Sequence, residues 1–206
     1  MTKPRDNTSP PTTRGVTIRW ASRYDAMNRW AFWGRERQFR EWTADLGAIS
    51  PGDAVLDVGC GTGNLALAAR DQAGTDGDVR GIDAAPEMIQ EAERKAAARQ
   101  VDVRFQVGLI EEIPFPAGTF DVVLSSLMLH HLPRDLKRQG IAEVSRVLKP
   151  RGRFVAVDID PLLMRNLRTV EEAVRANGFT EIRRGRTRFR TMLWRIHYLT
   201  GTAGEK

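Results

Sequence analysis

"AVLDVGCGTG", residues 54 to 63, decides the fold. An apolar run ends in an acid, and glycines then fall at every second position: Gly59, Gly61 and Gly63. A short apolar run bounded by glycine reads as a buried strand entering a loop. "NLALAARDQA" follows directly and reads as a helix, so the glycines stand at a strand-to-helix junction. Glycine accepts positive φ and lets backbone pass flush against a ligand. The N–H groups of a helix start then face a carboxylate or phosphate.

The rest of the chain repeats that alternation. "DVRGID" is a second strand, and "APEMIQEAERKAAARQ" is a helix opened by Pro86. "VDVRFQVG" and "FDVVLSSL" are the third and fourth strands. "RDLKRQGIAEVSRVLK" is a helix stopped by Pro150, and "GRFVAVDI" is the fifth strand. "LRTVEEAVRANGF" is a helix closed at Asn177 and Gly178. "TEIRRGRT" and "LWRIHYLTG" are two last strands whose link is too short for a helical crossover, so one of them runs antiparallel. The expected fold is α/β: a Rossmann-like, doubly wound, seven-stranded sheet, mostly parallel, with one antiparallel strand near the C-terminus.

Upstream, residues 18–46 read as one helical cap, with Trp20, Tyr24, Met27 and Trp30 at helical steps. Residues 1–17, rich in Pro, Thr and Ser, read as a disordered leader, and 18–206 as a single domain. The 206 residues are 41% hydrophobic and 28% charged, an ordinary globular balance. No apolar run reaches the ~18 residues of a membrane span. The one cysteine, Cys60, excludes an internal disulfide and points to a cytoplasmic setting. The net charge is +6. Its sharpest cluster, "RRGRTRFR" at 183–190, reads as a solvated edge strand, with a phospholipid or RNA surface as the alternative.

Two acids choose the ligand. Asp83 ends the second strand ~20 residues past the last glycine, a spacing suited to ribose hydroxyls. Asp57 lies two residues before Gly59 and would oppose a pyrophosphate. The pattern is G-x-G-x-G, not the G-x-G-x-x-G of dinucleotide sites. A ligand with an ammonium and a sulfonium suits it better, which favours S-adenosylmethionine over a nicotinamide dinucleotide.

"VLDVGCGTGNLAL", "GIDAAPEMI", "IPFPAGTFDVVLSSLMLHHL" and "LKPRGRFVAVDI" resemble four successive motifs of the class I S-adenosylmethionine-dependent methyltransferases. The likeness is to the ubiquinone/menaquinone-biosynthesis group, which "YDAMNRWAFWGRERQFREW" also resembles. The resemblance implies that Asp57, Gly59, Cys60, Gly61 and Gly63 form the loop around methionine and ribose. It implies that Asp83 accepts from the ribose hydroxyls, that Ala84 and Met88 line the adenine, and that Leu109 and Ile110 meet its edge. The family usually has an acid where this chain has Leu109, so the adenine amine must rely on backbone near Ile110, apolar contact and Glu111. Ser125 and Ser126 match positions beside the methionine carboxylate and sulfonium, and Tyr24 is expected to reach the site from the cap. Gly63 and Asp83 also have structural readings, helix–strand packing and helix capping.

"LSSLMLHHLPRD", 124–135, carries two of the three histidines. A hydroxyl or enolisable-carbon acceptor benefits from a base that titrates near neutrality. His130 is expected as that base, oriented by Asp158 at the end of the fifth strand, as in some sugar O-methyltransferases. His131 and His197 are expected to be structural. The expected activity is methyl transfer from S-adenosylmethionine, leaving S-adenosylhomocysteine, by O- or C-methylation of a small hydrophobic or ring-bearing acceptor. A phospholipid N-methyltransferase and a non-catalytic cofactor-binding module are the alternatives. No metal is expected. Nucleic acid is disfavoured, peripheral membrane contact is left open, and monomer and homodimer are not distinguished.

Overall fold

The computed structural model describes residues 13–159 and 165–205, the side chains of 165 and 166 aside. Its frame is β1 (Ala54–Val58), buried at all but its first residue because helices cover both faces of the sheet. This explains why the run is apolar throughout and does not alternate.

From β1 the chain winds outward through α3 (Asn64–Ala73), β2 (Asp78–Asp83), α4 (Pro86–Arg99) and β3 (Arg104–Val107). It then crosses to the other side of β1 as β4 (Phe120–Ser126), followed by a short 3-10 turn at Leu129–His131 and α5 (Arg134–Val147). β5 (Leu148–Ile159), α6 (Arg165–Ala176), β6 (Thr180–Arg190) and β7 (Arg195–Thr202) complete it. The strand order is β3-β2-β1-β4-β5-β7-β6. β7 runs antiparallel to both of its neighbours, as expected of the strand pair with the short link. The order reverses between β1 and β4, and the crevice beyond their carboxyl ends is where such sheets take ligands.

Two cores hold the sheet. One lies between it and α3, α4 and the helix at Glu36–Asp45, around Phe39, Leu65, Ala92 and Phe105. The other packs Ile141, Val144, Val170 and Val174 of α5 and α6 on Phe120 and Phe154.

Three boundaries differ from the sequence expectation. The helix over 18–46 is two helices, α1 (Ala21–Ala31) and α2 (Glu36–Asp45). Trp33 and Gly34 between them take φ of 56° and 76°, and the Gly34 N–H donates to Arg29 O at 2.8 Å, so the glycine closes α1. The helix expected to run to Pro150 ends at Val147, and β5 begins at once. The residue before a proline is held to extended backbone, so the helix must end earlier than Lys149. Of the expected leader, 1–12 lie outside the described residues, whereas 13–17 run along the crevice. There the Val16 N–H donates to His131 O at 3.1 Å, and Arg14 pairs with Asp135. Residues 160–164, in the link from β5 to α6, also lie outside the described residues.

Candidate active site

The glycines do different work. Gly59 has φ 72°, and a Cβ there would overlap the Met128 side chain, so only glycine lets the loop after β4 pass this close. Gly61 donates its N–H to Asp83 Oδ2 at 2.9 Å, and Asp83 Oδ1 accepts from Ala85 N–H at 2.9 Å. Asp83 thus ties the loop after β1 to the loop after β2. Gly63 faces away from the crevice. A Cβ there would stand 2.9 Å from both the Ala92 methyl and the Phe105 ring, which makes it the packing residue of its structural reading.

Two adjoining cavities follow the loop. The larger, about 670 Å³ with its open mouth, is lined by Gly59, Gly61, Asp83, Ala84, Met88, Leu109, Ile110, Glu111, Met128 and His131. Residues 15–18 and Thr13 line it as well. The smaller, about 280 Å³, is lined by Asp57, Cys60, Thr62, Asn64, Ser126 and Arg40. Tyr24, Gly59 and Gly61 border both. The sequence-selected residues therefore divide between the larger cleft and the polar recess, except for four. Gly63 packs, as above. Ser125 lines neither cavity: strand alternation turns it away from Ser126, and it is buried with its hydroxyl unpartnered. His130 and Asp158 line neither cavity and are bound to each other instead.

The recess is electrostatically tense. Burial pushes the Asp57 carboxyl up to about 7, against the downward pull of the Arg40 guanidinium. Asp57 Oδ2 is buried without a hydrogen-bond partner. Arg40 is 7% exposed and donates to Glu36 Oε1 at 3.0 Å and to Ser126 Oγ at 2.9 Å. An unpartnered carboxylate oxygen next to a buried guanidinium and a backbone-only loop fits the ammonium and carboxylate of an amino-acid group. Asp83, which lines the cleft, fits ribose hydroxyls, so the residues present fit S-adenosylmethionine.

Sequence reading missed Arg40 and the network beside it. Asp25 Oδ1 accepts from Thr62 Oγ1 at 2.6 Å and from Asn64 Nδ2 at 3.2 Å, while Asp25 Oδ2 pairs with Lys95 at 2.5 Å. This network ties α1 to the glycine loop and α4. The available signal was an arginine inside the aromatic run "QFREW", where a buried helix face should be apolar.

At the carboxyl edge of β4 and β5, His130 Nδ1 lies 2.6 Å from Asp158 Oδ1, and the His130 N–H donates to Asp158 Oδ2 at 2.8 Å. The His131 ring, centred 3.9 Å from that of His130, borders the cleft. Burial, then the neighbouring His130, lowers its pKa to about 4. His131 is therefore a neutral wall of the cleft at ordinary pH, a contact the sequence reading did not assign to it.

The fold and the site define a class I S-adenosylmethionine-dependent methyltransferase domain. Residues 55–152 match the family described as methyltransferase domain. The chain is 36% identical over 154 residues to a demethylmenaquinone methyltransferase of Symbiobacterium thermophilum, a match covering 72% of this chain and 59% of the relative. The chain spans 57% to 63% of the length of three such curated relatives. Among solved structures, the YcgJ protein from Bacillus subtilis superposes with a TM-score of 0.69 at 21% identity, covering 82% of this chain and 100% of that one. A geranyl diphosphate C-methyltransferase from Streptomyces coelicolor A3(2), in complex with S-adenosyl-L-homocysteine, gives 0.69 at 16% identity, covering 82% and 76%. These two likenesses are of fold. No described helix is long and apolar enough to cross a membrane.

Proposed function

We propose that this chain methylates a small, hydrophobic, ring-bearing acceptor with an ionisable hydroxyl, such as a quinol, with His130 as the base. The observation that carries the reading is the His130–Asp158 pair at the sheet edge that also holds the cofactor site. Bound S-adenosylmethionine supplies an electrophilic methyl on a sulfonium. The chain's own work is to hold the partners and move one proton. Asp57 takes the ammonium, Arg40 the carboxylate and Asp83 the ribose. Met88, Leu109 and Ile110 enclose the adenine by apolar contact. Leu109 withholds one hydrogen bond, a loss of ~0.5–1.5 kcal/mol that apolar enclosure can offset.

Asp158 accepts from Nδ1–H of His130, which leaves Nε2 as the basic nitrogen. Removing a phenolic proton there raises electron density on the oxygen and on the ring carbon beside it. Either atom could then displace S-adenosylhomocysteine from the methyl, and attack through carbon would be completed by loss of the ring C–H proton as the oxygen regains its own. Relatives are demethylmenaquinone and 2-phytyl-1,4-naphtoquinone methyltransferases, which favours carbon as the nucleophile and a naphthoquinol ring as the acceptor. The same relatives favour neither a phospholipid amine acceptor nor a non-catalytic module.

The test is incubation of the full chain with methyl-labelled S-adenosylmethionine and a panel of reduced prenylated naphthoquinones, benzoquinones and simple phenols. Label in a ring-methylated quinol supports the reading. Cofactor binding with no label in any ring acceptor overturns it.

A further inference from the structure

The hairpin that ends the sheet lines neither of the two site cavities. β6 and β7 meet in a turn closed by the Trp194 N–H donating to Thr191 Oγ1 at 2.9 Å and the Thr191 N–H to Trp194 O at 3.0 Å. The turn leaves Met192, Leu193 and Trp194 42%, 81% and 40% exposed. The Met192 N–H donates to Ala31 O at 3.2 Å, which pins the tip to the end of α1, where Trp30 and Trp33 are also exposed.

Arginines surround this apolar tip. Arg35, Arg188 and Arg190 line a hollow with Trp33, and Arg186 and Arg195 flank the turn. None of these five pairs with a carboxylate among the described residues. No acid occurs from 183 to 195. Protection of a sheet edge accounts for the arginines of β6. It does not account for Leu193 and Trp194 held out into water at the end of the same hairpin. Arg35 and Arg188 lie over the Phe189 ring. Exposed tryptophan and leucine ringed by cations without acid partners is the composition of an interfacial anchor, with apolar tips in the headgroup layer and guanidinium groups on phosphate. RNA would satisfy the arginines and leave Leu193 without a partner.

The position fits as well. Ile196 pairs with Ile159 and His197 with Asp158, so β7 begins where β5 ends. The tip therefore projects from the sheet edge that carries the His130–Asp158 pair.

We propose that the β6–β7 tip, with the turn between α1 and α2, docks on the surface of an anionic phospholipid bilayer. Docking is independent of methyl transfer. Its bearing on acceptor entry, by turning the site edge toward the bilayer, rests on the function proposed above.

The experiment is flotation of the full chain with vesicles of phosphatidylcholine mixed with phosphatidylglycerol, and with phosphatidylcholine alone. The expected result is binding to the mixed vesicles that weakens with added salt, and little binding to the neutral ones. Each arginine near such a surface contributes roughly fivefold in partition. Arg188→Gln/Arg190→Gln should thus lose tenfold or more, and Leu193→Ser/Trp194→Ser a comparable amount, with unchanged melting temperature. Brominated lipids should quench the wild-type tryptophan emission, and less so in Trp194→Phe, a readout that needs no drastic variant. Equal binding to neutral vesicles, undiminished binding of a folded Leu193→Ser/Trp194→Ser chain, or capture by polyuridylate without vesicle binding would each overturn the proposal.

Discussion

Asp158 holds His130 twice, Oδ1 at 2.6 Å from the ring Nδ1 and Oδ2 at 2.8 Å from the backbone N–H. One carboxylate therefore sets both the imidazole and the loop that carries it. His130→Ala should lower kcat ~10²-fold while S-adenosylhomocysteine affinity by calorimetry stays within about twofold. Asp158→Asn keeps an acceptor but removes the anion that orients the ring, so it should lower kcat as well, with S-adenosylhomocysteine affinity nearly unchanged. Unchanged turnover in His130→Ala would reject the base.

Asp57 makes cofactor binding depend on pH. Its carboxyl titrates near 7 in the free protein because burial disfavours the charge. An incoming ammonium needs the carboxylate, so below that pH binding must expel a proton. Affinity for S-adenosylhomocysteine should rise up to about tenfold per unit between pH 5 and 7 and then level off. For stability the sign is reversed. A raised carboxyl costs nothing below its ordinary pKa of 3.8, and the free fold loses stability as pH climbs from there through 7. Asp57→Asn should flatten both curves and weaken binding.

Gly59 and Gly63 are both left-handed glycines of one loop, and substitution separates them. Gly59→Ala overlaps the adjoining Met128 side chain, and its φ adds about 1–3 kcal/mol of strain. Met128→Ala should recover part of the loss in both melting temperature and cofactor affinity. Gly63→Ala presses on Ala92 and Phe105 inside the core, so it should lower the melting temperature with no rescue from Met128→Ala.

The segment at 13–18 should hold the nucleoside end of the cofactor. Val16→Pro deletes the N–H that reaches His131 O, and Thr13→Ala deletes the hydroxyl that donates to Glu111 Oε1 at 2.5 Å. One hydrogen bond is worth ~0.5–1.5 kcal/mol, so each change should weaken S-adenosylhomocysteine roughly two- to tenfold. Stopped-flow displacement should show the loss in the off-rate. An unchanged off-rate in both variants would remove the segment from the site.

The frame of this fold is legible in the sequence because its signals are local. A strand buried on both faces is a continuous apolar run, and the glycine loop announces its own backbone. The Gly59–Met128 contact is different: it joins loops after β1 and β4, and nothing near either residue encodes it. Arg40 was hidden for a related reason. On its helix it is one more charge, and only the folded chain lays it against Ser126 and near Asp57. The direction of Ser125 was readable from strand alternation, but the family motif treats it together with Ser126. The break at Trp33 and Gly34 was also readable, since glycine after an aromatic run is a helix stop, and the aromatic spacing on either side obscured it.

The segment at 13–18 has one more consequence. It lines the cleft together with the glycine loop and is fastened to the His130–His131 turn. A donor bound in the cleft would lie against this segment, and an ordered reaction, donor first and its demethylated product last, is the expected outcome. Product-inhibition kinetics check it: S-adenosylhomocysteine should be competitive against the donor and non-competitive against the acceptor.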